Sequence, residues 1–164
     1  MTATEVEFCE VEVPEVLVVQ AHGKSDFASI GTAIRGLFQK LGEQMGRYGL
    51  TPVGLARMIY DSSDASGVSF RLAIPVAKPA APVDESVELQ TLAGAKTYRF
   101  SHHGPYGRIM QTYGHITEFM KAQGWMQSEA DWAKYMPMWE EYANDPATTA
   151  ESELLTYIYL PINA

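Results

Sequence analysis

Ala77-Lys78-Pro79-Ala80-Ala81-Pro82-Val83-Asp84 is the stretch on which the fold turns. Proline has no N–H to give to a sheet and fixes its own φ, so this segment cannot continue a central strand and reads as a linker. Working outward from it, the same succession of elements appears on both sides. Upstream, residues 6–13 form a strand in which Val6, Phe8, Val11 and Val13 are interrupted by acids. Pro14-Glu15 makes a turn, and residues 16–21 form a strand apolar enough to be buried on both faces. Ser25 or Asp26 is placed to cap a helix whose apolar positions are Phe27, Ile30, Ile34, Leu37, Phe38, Leu41, Met45 and Tyr48, a single stripe at spacings of three and four. Gly49 ends it as a left-handed residue. Gly42 and Gly46 leave a bare patch where another group can approach. Strands follow over 53–61 and 68–76, with turn chemistry between them.

Downstream the pattern restarts. Strands are predicted over 87–92 and 95–102, then a helix over 106–123 with Ile109, Tyr113, Ile116 and Met120 on its inner stripe and Gly124 at its end. Strands over 133–142 and 154–160 complete the chain. Landmarks recur about 80 residues apart: Gly23 and Gly104 before the helices, Phe38 and Phe119 within them, Tyr60 and Tyr142 closing the third strands. Ile74-Pro75-Val76 and Leu160-Pro161-Ile162 close the fourth. The expectation is therefore an α+β domain. It is a tandem pseudo-twofold repeat of a strand–helix–strand–strand module, with an antiparallel sheet and two helices on one face. The halves are 5–77 and 84–164, joined by the linker 77–84. Neither half alone buries enough surface to be comfortable, and a dyad between them implies a groove suited to a ligand.

Composition narrows the function. The chain has 164 residues, 46% of them apolar and 20% charged, an ordinary globular balance. Twenty acidic against 12 basic residues give a net charge of −8, which repels phosphate backbones, so no direct nucleic-acid partner is expected. No apolar run approaches the roughly 20 residues that cross a bilayer, and no membrane partner is expected. Residues 1–5 lack a basic and an apolar leader region, and Cys9 is the only cysteine, so a reducing cytoplasm is the expected location. His102 and His103 are adjacent and point to opposite faces of a strand, while no His-x₃-His spacing or cysteine pair occurs. Neither a metal nor a cofactor is expected.

One carboxylate stands out. Glu140 is embedded among Trp132, Tyr135, Met136, Met138, Trp139 and Tyr142. Strand alternation puts Met138, Glu140 and Tyr142 on one face and Trp139 with Glu141 on the other. A solvated strand acid would also fit this position by burial statistics. In an apolar groove, however, an ionised carboxylate is costly, and a ligand cation would neutralise it while the rings add cation–π attraction of about 0.5–2 kcal/mol each. Tyr60, the counterpart of Tyr142, follows Met58-Ile59 and is placed to donate to a ligand, although a core tyrosine is an equal reading. Tyr106 in the first turn of the second helix is a candidate wall, or a residue that packs the helix start.

Several segments resemble the GyrI-like small-molecule-binding domain, also found as the effector-binding half of multidrug-responsive transcription activators. They are Phe100-Ser101-His102-His103-Gly104-Pro105-Tyr106, Glu140-Glu141-Tyr142, Asn144-Asp145-Pro146 and the closing Leu154-Leu155-Thr156-Tyr157-Ile158-Tyr159-Leu160-Pro161-Ile162. The resemblance implies binding of a hydrophobic, often cationic, small molecule in the groove between repeats, with Glu140 as the pocket carboxylate. Met58, Tyr60, Tyr106, Met138 and Tyr142 would form its walls. So few residues precede the first strand that no DNA-reading segment is expected, which matches the stand-alone members. Some of these resemble hydrolases of cyclopropane-bearing alkylators, in which Glu140 would activate water and Tyr60 polarise the electrophile. A topoisomerase-inhibiting role is a third reading.

Overall fold

The structure, a computed structural model, describes residues 6–26, 28–144 and 147–162. Its elements are β1 (Phe8–Val13), β2 (Val16–Ser25), α1 (Ile30–Tyr48), β3 (Arg57–Asp64), β4 (Gly67–Pro75), β5 (Glu88–Leu92), β6 (Ala95–His103), α2 (Ile109–Ala122), β7 (Met138–Tyr142) and β8 (Leu155–Pro161). Short 3₁₀ helices occupy Tyr106–Arg108, Glu129–Tyr135 and Glu151–Glu153. The fold class is α+β with antiparallel pairing, as the periodicities predict.

Two compact units form, one from residues 13–95 and one from 1–12 with 96–164. The first orders its strands β3-β4-β2-β5 and the second β7-β8-β6-β1. Each unit therefore places its elements alike, and each takes its last strand from the other sequence half. β5 pairs with β2 from Val16↔Leu92 to Gln20↔Glu88. β1 runs along β6, where Ser101 N donates to Glu7 O at 3.1 Å and Thr97 Oγ1 to Val11 O at 2.9 Å. The duplication persists in register, because Pro75 lies opposite Val18 and Pro161 opposite Thr97.

In the first unit α1 packs on the face of β2 and β4 that carries Val19, Ala21, Phe70 and Leu72, all buried. Leu41 is the fully covered residue of the helix. Gly49 caps α1 in the left-handed conformation, φ 62°. The start differs from expectation: α1 begins at Ile30, not after Ser25 or Asp26. β2 stays paired with β4 out to Ser25↔Val68, and Asp26 Oδ1 instead accepts from Ser29 N at 2.8 Å in a turn ahead of the helix. Phe27, expected on the apolar stripe, lies outside the described residues. No group lies within 4 Å of a Cβ built at Gly42 or Gly46.

At the β3–β4 turn Gly67 has φ 140°, and a Cβ there would stand 2.2 Å from Ser25 O. That oxygen belongs to a paired strand and cannot swing aside as a side chain would. Gly67→Ala is accordingly expected to cost at least about 2 kcal/mol, measured by urea denaturation. A stability equal to wild type would refute it.

The other face of this sheet carries a polar chain. Arg71 donates to Asp61 with Nε and Nη2, both at 2.9 Å, and with Nη1 to Gln20 Oε1 at 3.2 Å. Gln20 Nε2 in turn donates to Glu88, which also meets His22 Nε2 at 2.9 Å. The Gln20 hydrogen bond, then that of His22, holds the Glu88 carboxyl below its ordinary pKa. A carboxyl depressed in the native state stabilises it above the ordinary pKa, and that contribution fades as pH falls through the native value. The stability gap between wild type and Glu88→Gln should thus shrink as pH drops from about 6 to about 3. A gap independent of pH would contradict this account.

Candidate functional site

The second unit builds its sheet from β1, β6, β8 and β7, and pairing sets the side chains of one face in rows. Phe100, Ile158 and Glu140 form one row, and His102, Thr156 and Tyr142 the next. α2 covers this face: Phe119 meets Phe100 with ring centroids 5.8 Å apart, and Ile116 and Met120 are fully buried. An aromatic cluster of Phe8, Tyr98, Phe100, Phe119 and Trp125 fills one end, with Tyr98 and Trp125 stacked at 4.3 Å. Burial there pushes the Tyr98 hydroxyl above its ordinary pKa.

Glu140 occupies the other end. It is only 5% exposed, despite its formal charge. Tyr113 of α2 donates its hydroxyl to Glu140 Oε2, and Tyr142 donates to Oε1 at 3.2 Å. The Tyr106 ring lies 5.5 Å from that of Tyr142, centroid to centroid. Trp132 meets Tyr113 edge-on at 5.7 Å, and its Nε1 donates to Thr117 Oγ1 at 3.0 Å. Thr117 Oγ1 donates to Tyr113 O at 2.9 Å, so the indole and this hydroxyl together brace the tyrosine.

Alternation of β7 is as expected: Met138 and Glu140 are buried on the helix side with Tyr142, while Trp139 stacks on Tyr159 at 5.0 Å and donates to Glu141. The strand is shorter than the expected 133–142. Residues Glu129–Tyr135 instead form a 3₁₀ helix with Glu129 and Asp131 in its first turn, and Pro137 has no N–H to offer a ladder. That correction matters because it brings Trp132 to Tyr113. Asn144 ties the end of β7 to the approach of β8, donating to Glu153 O and accepting from Leu155 N at 3.0 Å. Asp145-Pro146 lies outside the described residues.

The entry to α2 is fixed by a buried imidazole. His102 is 3% exposed, with Nε2 at 2.9 Å from Pro105 O and Nδ1 at 2.6 Å from Thr112 Oγ1. A carbonyl only accepts, so Nε2 carries the proton and Thr112 donates to Nδ1. Thr112→Val should cost about 1–3 kcal/mol by leaving Nδ1 unsatisfied, readable as a lower urea midpoint. An unchanged midpoint would remove His102 from this role.

The unit thus brings together Glu140, Tyr106, Met138 and Tyr142 from the expected set. Met58 and Tyr60 belong to the first unit, where Met58 is fully buried opposite Leu72 and Tyr60 pairs with Phe70. Tyr113, the principal donor to Glu140, appeared in the sequence only as a member of an apolar stripe. Its signal was chemical: a tyrosine among Ile109, Ile116 and Met120 carries a hydroxyl that must find a partner. No group of three or more His, Cys, Asp or Glu among the described residues is placed to hold a metal ion. No helix among them is long and apolar enough to cross a membrane.

Comparisons with known proteins agree on the fold. The EcmrR C-terminal domain superposes with TM-score 0.76 at 16% identity, covering 96% of this chain and 98% of that one. SAV2435, solved bound to tetraphenylphosphonium, gives TM-score 0.64 at 14% identity over 96% and 94%. A hydrolase from Listeria innocua gives 0.59 at 17% identity over 99% and 94%. No curated protein matches the sequence. The model of the GyrI-like small molecule binding domain matches residues 4–163, and with the duplicated units already traced in the strand register, the chain belongs to the GyrI-like family of small-molecule-binding domains.

Proposed function

We propose that the second unit binds lipophilic organic cations, with Glu140 as their charge partner and Tyr106, Tyr113 and Tyr142 as the surrounding rings. The observation that carries this reading is a carboxylate 5% exposed, oriented by two phenolic hydroxyls within an aromatic surround. Burying such a group costs several kcal/mol, a cost that a bound cation offsets. Ring faces add attraction for a positive charge without offering it competing hydration. The net charge of −8 enriches cations near the protein at low ionic strength. Support also comes from SAV2435, a structural neighbour that holds tetraphenylphosphonium.

The test uses matched probes. Tetraphenylphosphonium should quench tryptophan fluorescence saturably, because Trp132 touches Tyr113. The neutral triphenylphosphine oxide should bind at least about tenfold more weakly, the equivalent of about 1.4 kcal/mol. Equal affinity for the two would sink the proposal, since shape and apolarity alone would then account for binding.

A further inference from the structure

Thr156 sits at the centre of the row His102–Thr156–Tyr142, on the same face as Glu140. It is fully buried, and among the described residues its Oγ1 has no hydrogen-bond partner. Its neighbours explain why this is unusual. On one side His102 directs both ring nitrogens elsewhere, to Pro105 and Thr112. On the other, Tyr142 donates to Glu140. A buried hydroxyl left unsatisfied is destabilising, and valine would fill the same volume without that penalty. Thr156 is also diagonal to Glu140 across the β7–β8 pair, because Glu140 faces Ile158 and Tyr142 faces Thr156. Diagonal partners stand about 7–8 Å apart at their Cα atoms, within the span of one small organic molecule.

We infer that Thr156 Oγ1 is a second polar anchor of the Glu140 site, which makes the site selective for cations that carry an N–H, protonated amines above all, over fully substituted ammonium or phosphonium ions. This rests on the proposed binding role of Glu140. The chemistry is direct: a protonated amine offers Glu140 its charge and the threonine oxygen a hydrogen-bond donor, whereas a quaternary ion offers charge alone. Tyr106 and Tyr142 would accommodate either ion equally, so they cannot supply this discrimination.

The experiment compares protonated N-methyldibenzylamine with dibenzyldimethylammonium, which replaces its one N–H by a methyl group. Binding is followed by tryptophan fluorescence on wild type, Thr156→Val, Thr156→Ser and Glu140→Gln. Wild type should prefer the N–H cation about tenfold, Thr156→Val should bring the ratio close to one, and Thr156→Ser should restore much of it. Thr156→Val should fold at least as stably as wild type, since it deletes an unsatisfied group. An unchanged preference in Thr156→Val, with binding of both ions still weakened in Glu140→Gln, would overturn this inference and leave the cation site standing. If neither ion binds wild type, or Glu140→Gln binds both as well as wild type does, both proposals fall together.

Discussion

Glu140→Gln is expected to weaken tetraphenylphosphonium binding about 30-fold, equivalent to about 2 kcal/mol, and to erase the preference for the cation over its neutral analogue. Glutamine keeps nearly the same shape: its one oxygen accepts from one of Tyr113 and Tyr142, and its NH₂ donates to the hydroxyl oxygen of the other, so both tyrosines keep a partner. The charge is lost and one hydrogen bond reverses direction. Because an ionised carboxylate at 5% exposure carries a desolvation cost, the variant should unfold at the same temperature as wild type or higher. Weakened binding with undiminished stability separates a ligand role from a folding role. If binding and melting temperature fall together, the carboxylate acts by holding α2 to the sheet.

The second large effect concerns folding. Phe100→Ala should destabilise the protein by about 3–5 kcal/mol, a substantial part of a typical total of about 5–15 kcal/mol. Phe100 is fully buried, with ring centroids 5.3 Å from Phe8 and 5.8 Å from Phe119, so removing it empties the junction between β1, β6 and α2. At about 2–4 °C per kcal/mol for a chain of this size, the melting temperature should fall by about 6–20 °C. Phe100 lies in the same row as Glu140, two strands away. Cation affinity in the folded variant, measured well below its melting point, should therefore change far less than in Glu140→Gln. A loss below about 1.5 kcal/mol would mean that the cluster collapses into the gap.

The sequence carried the positions of the elements well wherever periodicity was long. α1 and α2 were legible from stripes such as Ile34, Leu37, Leu41 and Ile116, Met120, because a 3.6-residue period over several turns admits no other reading. Boundaries were harder. The late start of α1 and the 3₁₀ helix at Glu129–Tyr135 depend on which backbone groups find partners, and Ser25↔Val68 is a contact across more than forty residues. That requirement leaves no local mark.

By itself the sequence determined the duplication, the α+β class and the shared face of Met138, Glu140 and Tyr142, since strand alternation and repeated landmarks are properties of neighbouring residues. Only the tertiary structure decided that β1 and β5 complete the sheets of opposite sequence halves, that Glu140 faces inward with Tyr113 and Tyr142 holding its carboxylate, and that the Thr156 hydroxyl is buried on the same face with no partner among the described residues. Those facts arise from pairings between residues far apart along the chain, where register and burial follow from the packing of all elements at once.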